Sequence, residues 1–170
     1  MVLGDANSTA VLIGGKLGGG VNEVEVDRRL VAAGKAGATR IEASHDGYVT
    51  RHGLVHRRIL ILRDDGSELR GEDLLVPKGK KGTRGKIPYA IRFHLGTAVE
   101  ATLTEDRTGA HLALRDGGYW QFLAPGQEVA IDESLWVDGD GRPYPVQQLV
   151  LEGMESRGGG SFSWLFKKIR

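Results

Sequence analysis

Short apolar runs that alternate with polar residues, with glycine breaking in every few positions, decide what this chain can fold into. In "YAIRFHL" at 89–95, Tyr89, Ile91, Phe93 and Leu95 share one face, while Arg92 and His94 share the other. Further short runs are "VNEVEV" at 21–26, "RRILIL" at 57–62, "VEATLT" at 99–104, "AHLAL" at 110–114, "EVAID" at 128–132 and "VQQLVL" at 146–151. Turn signals recur between them: Asp46-Gly47, Asp65-Gly66, Asp116-Gly117, Asp138-Gly139 and Asp140-Gly141. No stretch keeps a 3.6-residue apolar period for three turns, and the 26 glycines work against long helices. The pattern predicts an all-β chain of ten or more short strands. So many half-apolar strands need two packed faces, so the expected architecture is a two-sheet antiparallel β-sandwich.

The charge balance, 23 Lys and Arg against 22 Asp and Glu, gives no global pull toward nucleic acid or membrane. With no cysteine, disulfides, thiolate zinc sites and a cysteine nucleophile are excluded. Any metal must be held by His, Asp or Glu. No apolar run approaches the ~20 residues of a membrane span, and "MVLGDANSTAVLIGG" has no basic region leading into an apolar block, so no signal peptide is read. The sandwich is expected over residues 1–155. Residues 156–170, "SRGGGSFSWLFKKIR", are set apart as a Gly-rich joint and a C-terminal tail, in which "FSWLFKKI" reads as a last strand or a short docking segment. The loop "VPKGKKGTRGK" at 76–86 reads equally as a contact for an anionic polymer or as a solvated loop. Trp120, Trp136 and Trp164 are expected in the core rather than as sugar platforms.

Three of the five histidines lie within "SHDGYVTRHGLVHRR" at 44–58: His45, His52 and His56. A hairpin turning near His52-Gly53 sets Tyr48 opposite or diagonal to His56, and cross-strand Cβ atoms lie about 5 Å apart. His56, followed by the apolar "ILIL" run, is expected to be the most buried histidine. Two readings stand on the residues alone. These are polar side chains on a solvated hairpin, or two imidazoles sharing a metal whose third ligand comes from elsewhere, with Asp5 a candidate.

The order and spacing of "DANSTAV", "RIEASHDGYVTRHGLVHRRILIL" with "GSELRGEDLL", "IRFHLG", "WQF", "ESLWVDGDGRP" and "GGGSFSWLFKKI" resemble the C-terminal β-domain of the heparinase II/III-like family over nearly the whole chain. That resemblance implies the β-sandwich portion of a bacterial polysaccharide lyase. Such lyases act by β-elimination on uronic-acid polysaccharides and pair the sandwich with an N-terminal α-helical toroid. It implies that a histidine segment and a catalytic tyrosine lie outside this chain, so the isolated chain is expected to be an incomplete, inactive fragment. It places His45, Tyr48 and Arg58 at the wall of a sugar cleft. It also implies zinc in the full-length protein, with His56 and Asp5 as metal ligands. It points to the cell envelope or periplasm, although the chain itself gives no address. The chemistry explains the need for two walls: a base must take the C5 proton of the uronate while an acid protonates the leaving oxygen. The rival expectation is a non-catalytic carbohydrate-binding or structural β-sandwich module.

Overall fold

The computed structural model describes residues 11–13, 21–33, 36–79 and 85–169. Twelve strands are described: β1 Val11–Ile13, β2 Val24–Ala33, β3 Ala36–His45, β4 Leu54–Arg63, β5 Glu68–Pro77, β6 Lys86–His94, β7 Val99–Leu103, β8 Gly109–Leu114, β9 Tyr119–Leu123, β10 Val129–Val137, β11 Pro143–Ser156 and β12 Gly160–Lys168. A single helical turn, α1 Val49–His52, sits between β3 and β4. All described pairings are antiparallel. They build one sheet of order β1-β6-β11-β10 and a larger one of order β2-β3-β4-β5-β12-β9-β8-β7. The all-β sandwich expected from the alternation is the fold observed.

The alternating runs face as their period demands. Ile91 and Phe93 of β6, Val129 of β10, and Leu149 and Leu151 of β11 enter the core from the smaller sheet. Leu75, Ala110, Leu112, Phe122, Phe162 and Trp164 meet them from the larger one. Phe93 is central, with its ring 4.8 Å from Trp164 and 5.0 Å from Phe122. These spacings suit tilted and edge-on aromatic pairs. Three of the Asp-Gly pairs turn through a glycine at positive φ: Gly66, Gly117 and Gly141.

The C-terminal run takes its last-strand alternative, and the expectation for the tryptophans is corrected. Residues 160–168 form β12, which pairs with β5 on one side and β9 on the other. The triple glycine is the turn that brings this strand back, with Gly159 at φ 98°. The apolar side chains Phe162 and Trp164 then draw β12 into the middle of the larger sheet. The tryptophans also divide. Trp164 is core and Trp120 packs partly against it. Trp136 is exposed on the β10–β11 arm, 5.7 Å from Tyr144, because that end of the hairpin extends past the packed sheets.

Candidate functional site

The register of the larger sheet assembles the site from four strands. His45 on β3 lies directly opposite His56 on β4, and His56 lies opposite Leu75 on β5. One step along, Ala43, Arg58, Asp73 and Phe162 form the next row. His45, His56, Arg58 and Asp73 therefore share the inner face of the sheet. The β3–β4 connection is longer than a tight hairpin turn. It runs through Asp46 and the α1 turn and closes at Gly53 in the left-handed region. Tyr48 sits in that connection, so it is His45, and not Tyr48, that stands across from His56. Tyr48 is nevertheless brought in: its ring is 5.4 Å from His45 and 6.4 Å from His56.

The centre of the cluster is Asp73, which is 0 % exposed. His56 Nε2 lies 2.8 Å from its Oδ1. Arg58 donates from Nε to Oδ1 at 2.6 Å and from Nη2 to Oδ2 at 3.0 Å. Trp164 Nε1 donates to Oδ2 at 2.9 Å. The Arg58 guanidinium also stands 5.9 Å from the centre of the Trp164 ring. Burial alone raises the Asp73 carboxyl, but the His56 and Arg58 donors outweigh it and hold the group below the usual carboxylate range. This is a buried ion pair with its lone pairs filled, the condition under which such a pair is tolerated.

Proton positions along the histidines follow from one backbone amide. The Gly47 N–H donates to His45 Nδ1 at 3.2 Å, so neutral His45 carries its proton on Nε2. That Nε2 lies 3.1 Å from His56 Nδ1 and donates to it. His56 is then protonated at Nε2 and donates to Asp73. The chain runs one way: Gly47, His45, His56, Asp73. Burial, followed by the proximity of His56 and Arg58, lowers the His45 pKa to about 4. Burial pushes the Tyr48 hydroxyl up to about 12. Neither group changes charge near neutral pH.

A stability prediction follows. Unfolded His45 takes a proton near its ordinary 6.5, while the folded ring resists until about pH 4. The unfolded chain therefore binds more protons between these values. The stabilising contribution is complete above pH 6.5, is lost progressively as pH falls toward 4, and changes no further below that. The melting temperature of the wild type is expected to drop across this window, and that of His45→Gln to drop less. Parallel melting curves across the window would contradict this origin.

The sequence-predicted residues are thus placed differently from one another. Only His45 reaches a surface. A shallow cleft of about 240 Å³ touches it, but the cleft's other strand residues, Glu25, Ser44, Val55, Arg57 and Val76, belong by register to the outer face of the sheet, with Glu23 and Lys78 beside them. Arg58, at 2 % exposure, and Tyr48, at 1 %, lie beneath His45 as buried supports. His56, also at 2 %, is more buried than His52 at 8 % or the exposed His111. Asp5 lies outside the described residues. Lys78, from the basic loop, pairs with Glu23; residues 80–84 of that loop lie outside the described residues.

For the zinc that the resemblance implies, the described residues offer two imidazoles, and Asp5 lies outside them. His45 Nε2 and His56 Nδ1 are spaced much like two ligands of one tetrahedral zinc, which stand about 3.3 Å apart. With the Gly47 amide on Nδ1, the His45 proton sits on Nε2, and a metal at that atom would have to displace it. Among the described residues no three His, Asp or Glu side chains gather around one point.

Two participants were not singled out from sequence: Asp73 and Trp164. The signal for Asp73 was present. In "ELRGEDLLV", Asp73 shares its face with Leu69, Gly71 and Leu75, and a carboxylate on an apolar face requires buried donors.

Comparison with known proteins identifies the fold and the family. Solved structures with the same fold include the heparan sulfate lyase HepC from Pedobacter heparinus, with TM-score 0.65 and 10% identity. Two heparinase III structures superpose with TM-scores of 0.68 and 0.62, at 10% and 15% identity. This chain is covered over 85% to 96% of its length in these matches, but it spans only 22% to 24% of the lyases. A curated relative, FtsZ-localized protein C of Caulobacter vibrioides, is 37% identical over 139 residues. That match covers 78% of this chain and 24% of the relative. The family "Heparinase II/III-like, C-terminal" matches residues 1–165, which takes in both histidine strands, Asp73 and Trp164, and on that match the chain belongs to the heparinase II/III-like C-terminal family.

Proposed function

We propose that this chain forms one wall of a sugar cleft in a heparinase II/III-like polysaccharide lyase that acts on uronic-acid polymers by β-elimination. The observation that carries the reading is the family match over residues 1–165, together with a cleft on the outer face of the His45 strand that is lined by Arg57 and Lys78 and by Glu23, Glu25 and Asp46. On the inner face of the same strands, the His56–Asp73–Arg58 cluster fixes the His45 imidazole. Arg57 and Lys78 suit the carboxylates of a uronate chain, which would take them from Glu42 and Glu23. Chemistry at C5 needs a base and an acid on either side of the sugar. The described cleft has one wall, and both ring nitrogens of His45 are already engaged. The opposite wall, with the proton-transfer groups, is assigned to a helical domain of the kind the family resemblance implies.

The test uses the 170-residue chain with a heparan- or alginate-type polymer. Ultraviolet absorbance reports unsaturated ends, and titration calorimetry reports binding. No turnover is expected. Binding of the polymer is expected, and Arg57→Ala should weaken it several-fold while a neutral dextran gives none. Turnover abolished by a point change within this chain would show a complete catalytic set and overturn the assignment. Absence of uronate binding would also overturn it.

A second reading is favoured by one observation. The FtsZ-localized relative shares 37% identity, against 10% to 15% for the lyases. In that reading the chain is a non-catalytic binding or structural module of a protein that assembles where FtsZ does. Binding of the purified chain to FtsZ polymers, without binding to uronate, would favour it over the first.

A further inference from the structure

Strand β2 ends the larger sheet on an open edge. Its ten residues pair with β3 in unbroken register from Val24↔His45 to Ala33↔Ala36. Among the described residues, no strand pairs with its other side. The opposite end of the sheet is different, because β7 lies against β10 and β11 of the smaller sheet. Of the usual protections of an edge, β2 has charged side chains, Glu25, Asp27, Arg28 and Arg29, but not the others. It holds no proline and no bulge, and every residue from 21 to 30 is exposed. Val24, Val26 and Leu30 share one face with exposures of 64%, 67% and 80%. Glu25, Asp27 and Arg29 share the other. Such a strand is a template for another strand.

The sequence of β2 is complementary to itself. Two copies related by a two-fold axis normal to the sheet must pair residues of equal parity, antiparallel. In the register centred on Arg28, Val26 meets Leu30 of the second copy and Asp27 meets its Arg29, each twice. In these pairs apolar faces apolar and acid faces base, while Glu25 meets Val31. The two Arg28 side chains meet at the axis, and their long stems splay apart. The register centred on Asp27 is worse: it sets two short carboxylates against each other, with no room to splay. The Asp27 and Arg29 side chains are 57% and 59% exposed and already 3.0 Å apart within one strand. They are therefore placed to form a four-charge ladder in the pair.

The geometry points to a second copy of this chain as the occupant of the β2 edge, the two larger sheets joining antiparallel through β2 with Arg28 on the two-fold axis. The axis is normal to the sheet, so equivalent faces of both copies lie on the same side. Two His45 clefts would then open in one direction, a bivalent surface for a polymer. The inference stands independently of what those clefts bind.

The chain contains no cysteine, so a single introduced one reports the register directly. Directly opposed residues of an antiparallel pair have Cα atoms about 4.5–5.5 Å apart, inside the disulfide range. Sedimentation velocity of the wild-type chain should show a dimer that dissociates on dilution. Arg28→Cys should cross-link through a reducible bond, while Asp27→Cys, two places out of register with its copy, should not. Arg29→Asp should weaken the dimer at least tenfold, and Asp27→Arg with Arg29→Asp together should restore it. All these positions are exposed, and circular dichroism checks that each variant remains folded. A chain monomeric at every concentration overturns the inference. So does cross-linking of Asp27→Cys in preference to Arg28→Cys, or a double charge swap that fails to restore the dimer.

Discussion

Asp73→Ala is expected to cost the fold about 3–5 kcal/mol, the penalty for breaking a buried ion pair from one side. Arg58 is 2 % exposed and directs two of its donors to this carboxylate. Without Asp73 its charge remains in the core without a counter-ion, and the Trp164 N–H and the His56 N–H each lose an acceptor. Urea unfolding at neutral pH checks this through the transition midpoint, on the condition that the slope is unchanged. The sign of a companion variant separates a lost charge partner from lost packing. Replacing both partners with apolar residues, Arg58→Met with Asp73→Leu, should recover a large part of the loss, since a well-filled apolar pair needs no counter-ion. A double variant no better than Asp73→Ala would show that shape at this position, rather than charge, carries the effect.

Trp164→Ala is expected to cost a similar amount, about 3–5 kcal/mol, for a different reason. The indole is 2 % exposed and packs edge-on against Phe93 and Phe166. It also lies flat on β5, so that a Cβ at Gly71 would come within 2.1 Å of its ring. Truncation leaves a cavity between the sheets, and the Asp73 acceptor loses one donor. Trp164→Phe keeps most of the volume and loses the N–H, so it should cost about 1–2 kcal/mol. The difference between the two variants, read from thermal or urea unfolding, apportions the loss between cavity and hydrogen bond. Equal losses would contradict this account.

The strands were legible because their cause is local. Period-two alternation fixes which side chains can face a core, and in β6 the inward set of Tyr89, Ile91 and Phe93 and the outward pair of Arg92 and His94 stand as their spacing requires. The histidine strands were legible for the same reason. The way the site closes was not, because its parts come from distant positions. Asp73 lies 17 residues from His56 and 91 from Trp164, and nothing at either position states that their strands will be neighbours. Gly71 shows the same limit. Along the sequence it reads as one more turn glycine, yet it is a strand residue kept bare by the indole above it. The C-terminal run was set apart because a triple glycine resembles a joint, and a turn back into the sheet uses the same residues.

The position of β12 has a consequence for how the molecule assembles. The strands β2 to β5 form a continuous meander, each closing on its immediate predecessor, and β7 to β9 form another. Each can pair at small cost in loop entropy. Among the described residues the two halves of the larger sheet are joined only by β12, which reaches back across 99 positions between Lys167 and its partner Glu68 and 91 between Trp164 and Asp73. Contacts of that separation are slow to form, because the loop must close before the pairing repays it. The buried Arg58–Asp73 pair can therefore form early from neighbouring strands, but it remains uncovered until the indole arrives. Closure of the core is a late step of folding, made by the last of the described strands in chain order.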